Sequence, residues 1–146
     1  MKTITVNRKA RHEYHILETY EAGLSLVGTE VKSMRANKAN LTDAYAQLKD
    51  GEVWLVNAHV NVYDHGNINN HDPLRRRKLL LHKSEIRKMK KATDEKGLTL
   101  VPLQMYFKDG KAKVEIAVAK GKKIHDKRQD IANKDMQREM QRKIKI

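Results

Sequence analysis

The sequence predicts a mainly β protein. Five or six short antiparallel strands, with short helices between them, form a small closed or partly open barrel. Three observations predict it. Apolar and polar residues alternate, most cleanly where Val114, Ile116 and Val118 interleave with Lys113, Glu115 and Ala117. Asp50-Gly51 and Asp109-Gly110 each lie between two such runs, and Asp-Gly supplies the positive-φ pair of a tight hairpin. The 146-residue length supports one core without disulfides or metal.

Residues 1–11 are basic and weakly patterned apart from a short apolar Ile4-Thr5-Val6. From Tyr14 the period turns to two, with Glu21-Ala22-Gly23 reading as a turn. Residues 13–20 and 24–28 therefore read as a hairpin. Thr29 is a candidate cap for a short helix ending near Asn37, with Glu30 in its first turn and Val31 and Met34 three apart. Lys32 and Arg35 mark its basic side. Residues 45–56 form the hairpin around Asp50-Gly51, continued by Ala58, Val60 and Val62. Residues 64–73, rich in Asn, Asp, Gly and Pro, read as a solvated loop. Leu79-Leu80-Leu81 reads as a short buried run. A helix follows from Lys83, with Ile86 and Met89 inward, and stops at Gly97. The last hairpin flanks Asp109-Gly110. Pro102 lacks a donor, so its strand is an edge or is bulged there.

Composition narrows the function. A formal net charge of +13 suits a polyanionic partner, nucleic acid above all. No apolar run approaches the roughly 20 residues of a spanning helix, and the first residues lack the apolar core of a secretory signal. The absence of cysteine excludes disulfides, Cys-ligated zinc and a thiol nucleophile, and fits a reducing compartment. His12-Glu13-Tyr14-His15 is one residue short of the H-E-x-x-H zinc motif. In a strand its two imidazoles would also face apart. Gly121-Lys122-Lys123 lacks the upstream glycine and the hydroxyl of a phosphate-binding loop. His125-Asp126, adjacent on a helix, would face apart. No catalytic or metal site emerges.

The basic clusters carry more. Between 75 and 91 stand Arg75, Arg76, Arg77, Lys78, Lys83, Arg87, Lys88, Lys90 and Lys91 against Glu85 alone. A solvated face usually mixes signs, so this run reads as an RNA-binding surface. No aromatic run of a base-reading sheet accompanies it, which favours a folded RNA read by shape. The segment 121–146 carries nine Lys and Arg against four acidic residues. Ala132, Met136, Met140 and Ile144 make a thin stripe at helical spacing. Two readings compete for it: a helix docked on the barrel, or a segment disordered alone and helical on an anionic partner.

Several motifs now stand together. They are Asn7-Arg8-Lys9-Ala10, Tyr20-Glu21-Ala22-Gly23-Leu24, Gly28-Thr29-Glu30-Val31-Lys32-Ser33, Asp72-Pro73, Arg77-Lys78-Leu79-Leu80-Leu81-His82, and Gly121-Lys122-Lys123 followed by Asp126-Lys127-Arg128. In order and with matching gaps they resemble the small protein B family, bacterial proteins that bind transfer-messenger RNA (tmRNA) in ribosome rescue. The resemblance implies an OB-fold-like antiparallel β-barrel with short flanking helices over 1–120. It implies a basic C-terminal tail over 121–146, disordered alone and helical on the ribosome. It further implies a cytoplasmic, monomeric, non-enzymatic adaptor without cofactors. Such an adaptor binds the tRNA-like domain of tmRNA and delivers that RNA to stalled ribosomes for trans-translation. Its partners would be tmRNA and ribosomal RNA near the decoding site and messenger channel. RNA binding is implied at Glu21, Leu80, His82 and Lys113, although many members carry Asn at the position of His82. The basic clusters add Lys32, Arg35, Arg75, Arg77 and Lys78. Tail function is implied at Gly121, Lys122, Lys123, His125, Asp126, Lys127 and Arg128. Two alternatives remain: a general OB-fold RNA-binding or ribosome-associated protein without tmRNA specificity, and a nuclease using His and Asp.

Overall fold

The structure, a computed structural model, describes residues 1–63 and 70–122. The expectations for Lys123, His125, Asp126, Lys127, Arg128 and the Ala132 to Ile144 stripe lie outside the described residues. In chain order the elements are β1 (Lys2–Val6), α1 (Arg8–Glu13), β2 (Tyr14–Leu24), α2 (Gly28–Arg35), β3 (Ala39–Asn40), β4 (Tyr45–Lys49), β5 (Glu52–Val56), β6 (His59–Val60), β7 (Arg77–Leu80), α3 (Lys83–Lys96), β8 (Thr99–Lys108) and β9 (Lys111–Gly121). Seven strands form one sheet in the order β1-β8-β9-β2-β7-β5-β4, and β3 pairs with β6 apart from it. Every pairing is antiparallel. The sheet curls until β4 approaches β8, but β1 and β4 share no ladder, so the barrel is OB-like and open.

Period-two alternation decides which side of each strand is buried. Val53, Leu55, Leu79, Val114 and Ile116 point inward and are buried, together with Met34 from α2 and Met89 from α3. The intervening Trp54, Lys78, Lys113 and Glu115 face outward. Asp50-Gly51 and Asp109-Gly110 take the positive φ that the tight turns demand. Gly97 closes α3 in the left-handed conformation, φ 62° and ψ 28°. A smaller core packs Ala10 of α1 against Val101, Leu103, Ala117 and Ala119 of β8 and β9.

Several expectations need correction. The first eleven residues are not unpatterned: Ile4 anchors β1 and Ala10 anchors α1. Glu21-Ala22-Gly23 is no turn, because β2 runs unbroken through it, paired with β9 on one side and β7 on the other. Gly23 stands there because space is tight: a Cβ on it would lie 3.3 Å from the Cβ of Leu80. Val27, not Thr29, is the residue before α2. The Glu30 carboxylate accepts the Val27 amide at 2.9 Å, while Thr29 Oγ1 meets His71 Nδ1 at 2.8 Å. That contact buries His71, so the solvated-loop reading fails at His71, while Asp72 beside it is exposed. Residues 64–69 lie outside the described residues. His12 sits in α1 and His15 in β2, so the four-residue motif is not one strand. The run onward from β5 breaks at Asn57, φ 60°; Val60 pairs in the small sheet and Val62 is exposed. Pro102 lies on an interior strand, with the expected bulge between it and Gln104.

Candidate nucleic-acid interface

One register row organises the outer face of the sheet. Leu80 of β7 pairs with Gly23 of β2, Gly23 pairs with Lys113 of β9, and Lys113 pairs with Tyr106 of β8. With no side chain at Gly23, Leu80 leans over that position. It stands 53% exposed, so the buried Leu79-Leu80-Leu81 run is corrected: alternation sends Leu79 inward and Leu80 out. A groove of about 620 Å³ opens beside it, lined by Glu21, Lys78, Leu80, His82, Lys83 and Lys113, among others. A second cavity of about 370 Å³ shares Gly23, Leu80 and Lys113 and reaches Phe107. Leu80 is therefore an apolar partition between two concave surfaces. His82 precedes α3 with its amide held by Glu85 Oε1 at 3.0 Å, which fixes the backbone that carries the exposed imidazole.

Glu21 is the acceptor of the groove. The Tyr106 hydroxyl donates to its Oε2 at 2.5 Å and Lys108 Nζ stands 3.5 Å away. That hydroxyl, with Lys108 and Lys113 contributing less and burial opposing, holds the carboxyl below its ordinary value. The Tyr106 phenol is raised in turn, first by burial and then by Glu21. Glu21 thus enters the groove ionised, able to accept from base amino groups or sugar hydroxyls. Tyr106→Phe should raise the Glu21 titration midpoint while leaving the fold intact; an unmoved midpoint in an NMR titration would show that the hydroxyl does not set it.

Five predicted residues meet here: Glu21, Lys78, Leu80, His82 and Lys113. The other four do not. Arg77 is fully buried, which removes it from the 75–91 run read as an RNA-binding surface. Its Nε donates to Glu30 Oε2, and its terminal nitrogens donate to the carbonyls of Ala58 at 2.8 Å and Pro73 at 3.2 Å. Arg75 joins the same carboxylate through Oε1 at 2.6 Å and also reaches Ser25 O at 3.1 Å. Both arginines serve the buried Glu30 carboxylate, a structural task. Lys32 lies over the Tyr63 ring at 5.2 Å, away from the groove. Arg35 lies over Phe107 at 5.9 Å, at the margin of the second cavity.

The groove is not strongly basic. Lys78, Lys83 and Lys113 face Glu21, Glu52 and Glu85, and Lys78 Nζ is tied to Glu52 at 2.7 Å. The uncompensated charge lies alongside, where Arg87, Lys88, Lys90 and Lys91 of α3 are exposed while Met89 faces the core. Sequence reasoning placed Lys83 in the basic run but missed Glu52 and Tyr106 as parts of the site. Only Tyr106 left a signal, an aromatic opposite Lys113 across the Asp109-Gly110 hairpin. Of the predicted tail residues, Gly121 pairs with Tyr14. The Lys122 amide donates to Glu13 O at 2.8 Å and its Nζ to Arg11 O at 3.2 Å.

The sequence and the fold both match known proteins. The family model described as SmpB protein matches residues 4–146. An SsrA-binding protein of Desulforudis audaxviator is 63% identical over 141 residues, covering 97% of this chain and 92% of that one. One from Ligilactobacillus salivarius is 59% identical over 139 residues, covering 95% and 90%. A solved structure described as "tmRNA-SmpB: a journey to the center of the bacterial ribosome" superposes with a TM-score of 0.68 at 53% identity, covering 82% of this chain and 85% of that one.

Proposed function

The chain belongs to the SmpB protein family, and on that premise we propose that it is an RNA-binding adaptor. It holds the tRNA-like domain of tmRNA in the Leu80 groove and delivers that RNA to stalled ribosomes for rescue and peptide tagging. The observation that carries this is Leu80 itself: a leucine more than half exposed on the partition between two concave surfaces has no core to serve. It offers apolar contact to an unstacked base or a ribose. Lys78, Lys83 and Lys113 flank it at phosphate-pairing reach, and Glu21 accepts from amino or hydroxyl groups. The exposed basic residues of α3 supply sequence-independent backbone contact. A groove with balanced charge recognises shape more than charge, which favours a specific RNA over any RNA. The segment from Lys123 onward, with His125, Asp126, Lys127 and Arg128, contacts the ribosome. The protein acts in the cytoplasm as a monomer and catalyses nothing itself.

Leu80→Glu tests the reading. The side chain is outward and not part of the core, so the fold should persist by circular dichroism. A carboxylate facing phosphate sets like charges together at several kcal/mol, so affinity for the tRNA-like domain should fall by about 100-fold. Bulk tRNA and poly-U should compete poorly against the unaltered protein. Unchanged binding by Leu80→Glu would remove the groove from the function, and equal competition would leave a general RNA binder.

A further inference from the structure

Trp54 is the chain's single tryptophan, and it is not in the core. Val53 and Leu55 are fully buried, so the alternation of β5 turns Trp54 outward. In register it stands between Gln47 of β4 and Lys78 of β7, on the same sheet face as the Leu80 row. A shallow cavity of about 270 Å³ opens at the indole, lined by Lys49, Asp50, Glu52, Trp54 and Arg76. Among the described residues no cation covers the indole; the cation–ring contacts are Lys32 on Tyr63 and Arg35 on Phe107. Arg76 and Lys49 are exposed, and their charged groups make no described ion pair or hydrogen bond. Arg75 and Arg77, its sequence neighbours, are committed to Glu30. Glu52, held by Lys78, lines both this cavity and the Leu80 groove, so the Lys78–Glu52 pair is a ridge between two adjoining sites.

We infer that the outer face of β4–β5–β7 is a stacking seat for one unpaired nucleotide of the RNA, reached by the strand as it leaves the Leu80 groove. The inference rests on the RNA reading of that groove. A partly exposed indole lining a cavity, with free cations at its border, is an arrangement on which bases stack while the backbone is held. Arg76 supplies a planar guanidinium that pairs with phosphate or covers the base's second face. Lys49 adds a point charge on the hairpin side. Asp50 repels phosphate and thereby sets the polarity: the base enters toward the hairpin tip, the phosphate toward Arg76. The free oxygen of Glu52, and Asp50, accept hydrogen bonds from an exocyclic amino group. The seat therefore takes adenine, cytosine or guanine in preference to uracil.

Because Trp54 is the only tryptophan, its fluorescence reports on this seat alone. The full chain is titrated with the tRNA-like domain of tmRNA, reading indole emission and acrylamide quenching, while affinity is measured separately by filter binding. Emission should be quenched and acrylamide protection gained along the same isotherm as binding. Trp54→Ala should weaken binding by about tenfold, and Trp54→Phe should retain most of it. Arg76→Glu, at an exposed position that keeps the indole, should weaken binding to a similar degree even if Trp54→Ala fails to fold. Poly-A and poly-C should quench more than poly-U. RNA binding with indole emission and acrylamide access unmoved, or with Arg76→Glu at full affinity, overturns the seat and leaves the groove standing. Leu80→Glu at full affinity overturns the groove instead, and the emission of the unaltered protein in the same titration then decides the seat alone.

Discussion

Arg77→Ala should destabilise the protein by about 3–5 kcal/mol, enough to unfold much of a domain this size. Arg77 and Glu30 are both fully buried, and the arginine fork also satisfies the carbonyls of Ala58 and Pro73. Removing it leaves a buried carboxylate with only the half-exposed Arg75 and the Val27 amide as partners, and it orphans two carbonyls. The tie crosses α2, β7 and the segments on either side of β6, so its loss loosens several elements at once. Arg77→Lys should recover little, since an ammonium cannot reproduce the planar fork. Arg76→Ala, one residue away and exposed, should stay within about 0.5 kcal/mol. Urea unfolding decides it, and an Arg77→Ala midpoint close to the parent's would refute this account.

The same carboxylate gives a pH dependence. Burial pushes Glu30 upward, but the Arg75 hydrogen bond, the Val27 amide and Arg77 together hold it below its ordinary value. Burial also pulls Arg77 down against the pull of Glu30, yet a guanidinium still keeps its proton at neutral pH. A carboxyl depressed in the folded state contributes stability that is present above its unfolded value of about 4.3 and is lost as pH falls through the folded value. The urea midpoint should therefore decline below about pH 4.3, and Glu30→Gln should flatten that decline while lowering the plateau. A parent midpoint unchanged down to the folded midpoint of Glu30 would contradict the pairing.

Ending the chain after Lys122 should abolish peptide tagging while leaving affinity for the tRNA-like domain within about twofold, since every residue lining the Leu80 groove precedes the cut. Lys122 is the right last residue because its amide closes the hydrogen bond to Glu13 that finishes the β2–β9 end of the sheet. Cutting before Gly121 would remove that bond together with the Tyr14 pairing and confuse fold with function. A reporter carrying a stalled message reads tagging, and filter binding reads affinity. Loss of both together would show that the two tasks are not divided between barrel and tail.

The legible parts of this fold are those written in local chemistry. Asp50-Gly51 and Asp109-Gly110 announce their hairpins because two positive-φ residues have few other uses. Gly97 announces the end of α3 for the same reason. The middle of β2 was illegible because Gly23 is small for a distant cause, the approach of Leu80, 57 positions along the chain, and Ala22 because it points into the core. Charge counting failed at Arg77 for a related reason: a run of basic residues does not say which side each faces. Alternation did say it, since Arg77 shares the inward parity of Leu79 while Lys78 shares the outward parity of Leu80. The site itself draws on β2, β7, β9 and the start of α3, so only the family resemblance could gather Glu21, Leu80, His82 and Lys113 from sequence.

One strand joins the two ends of the molecule. β2 is 11 residues long; Gly23 lies in the groove near one end, and Tyr14, paired with Gly121, stands at the other. The separation is about 30 Å at a strand's rise per residue, and β9 runs beside it over the whole interval. Strand length is thus a gauge: it sets how far Lys122, the last described residue, stands from the Leu80 groove. Deleting one residue from β2 would turn one end of the strand over relative to the other. Deleting two would keep the faces and shorten the gauge by about 7 Å. A protein that must fit one RNA and one ribosome at once would feel that change as a wrong distance, with both surfaces intact.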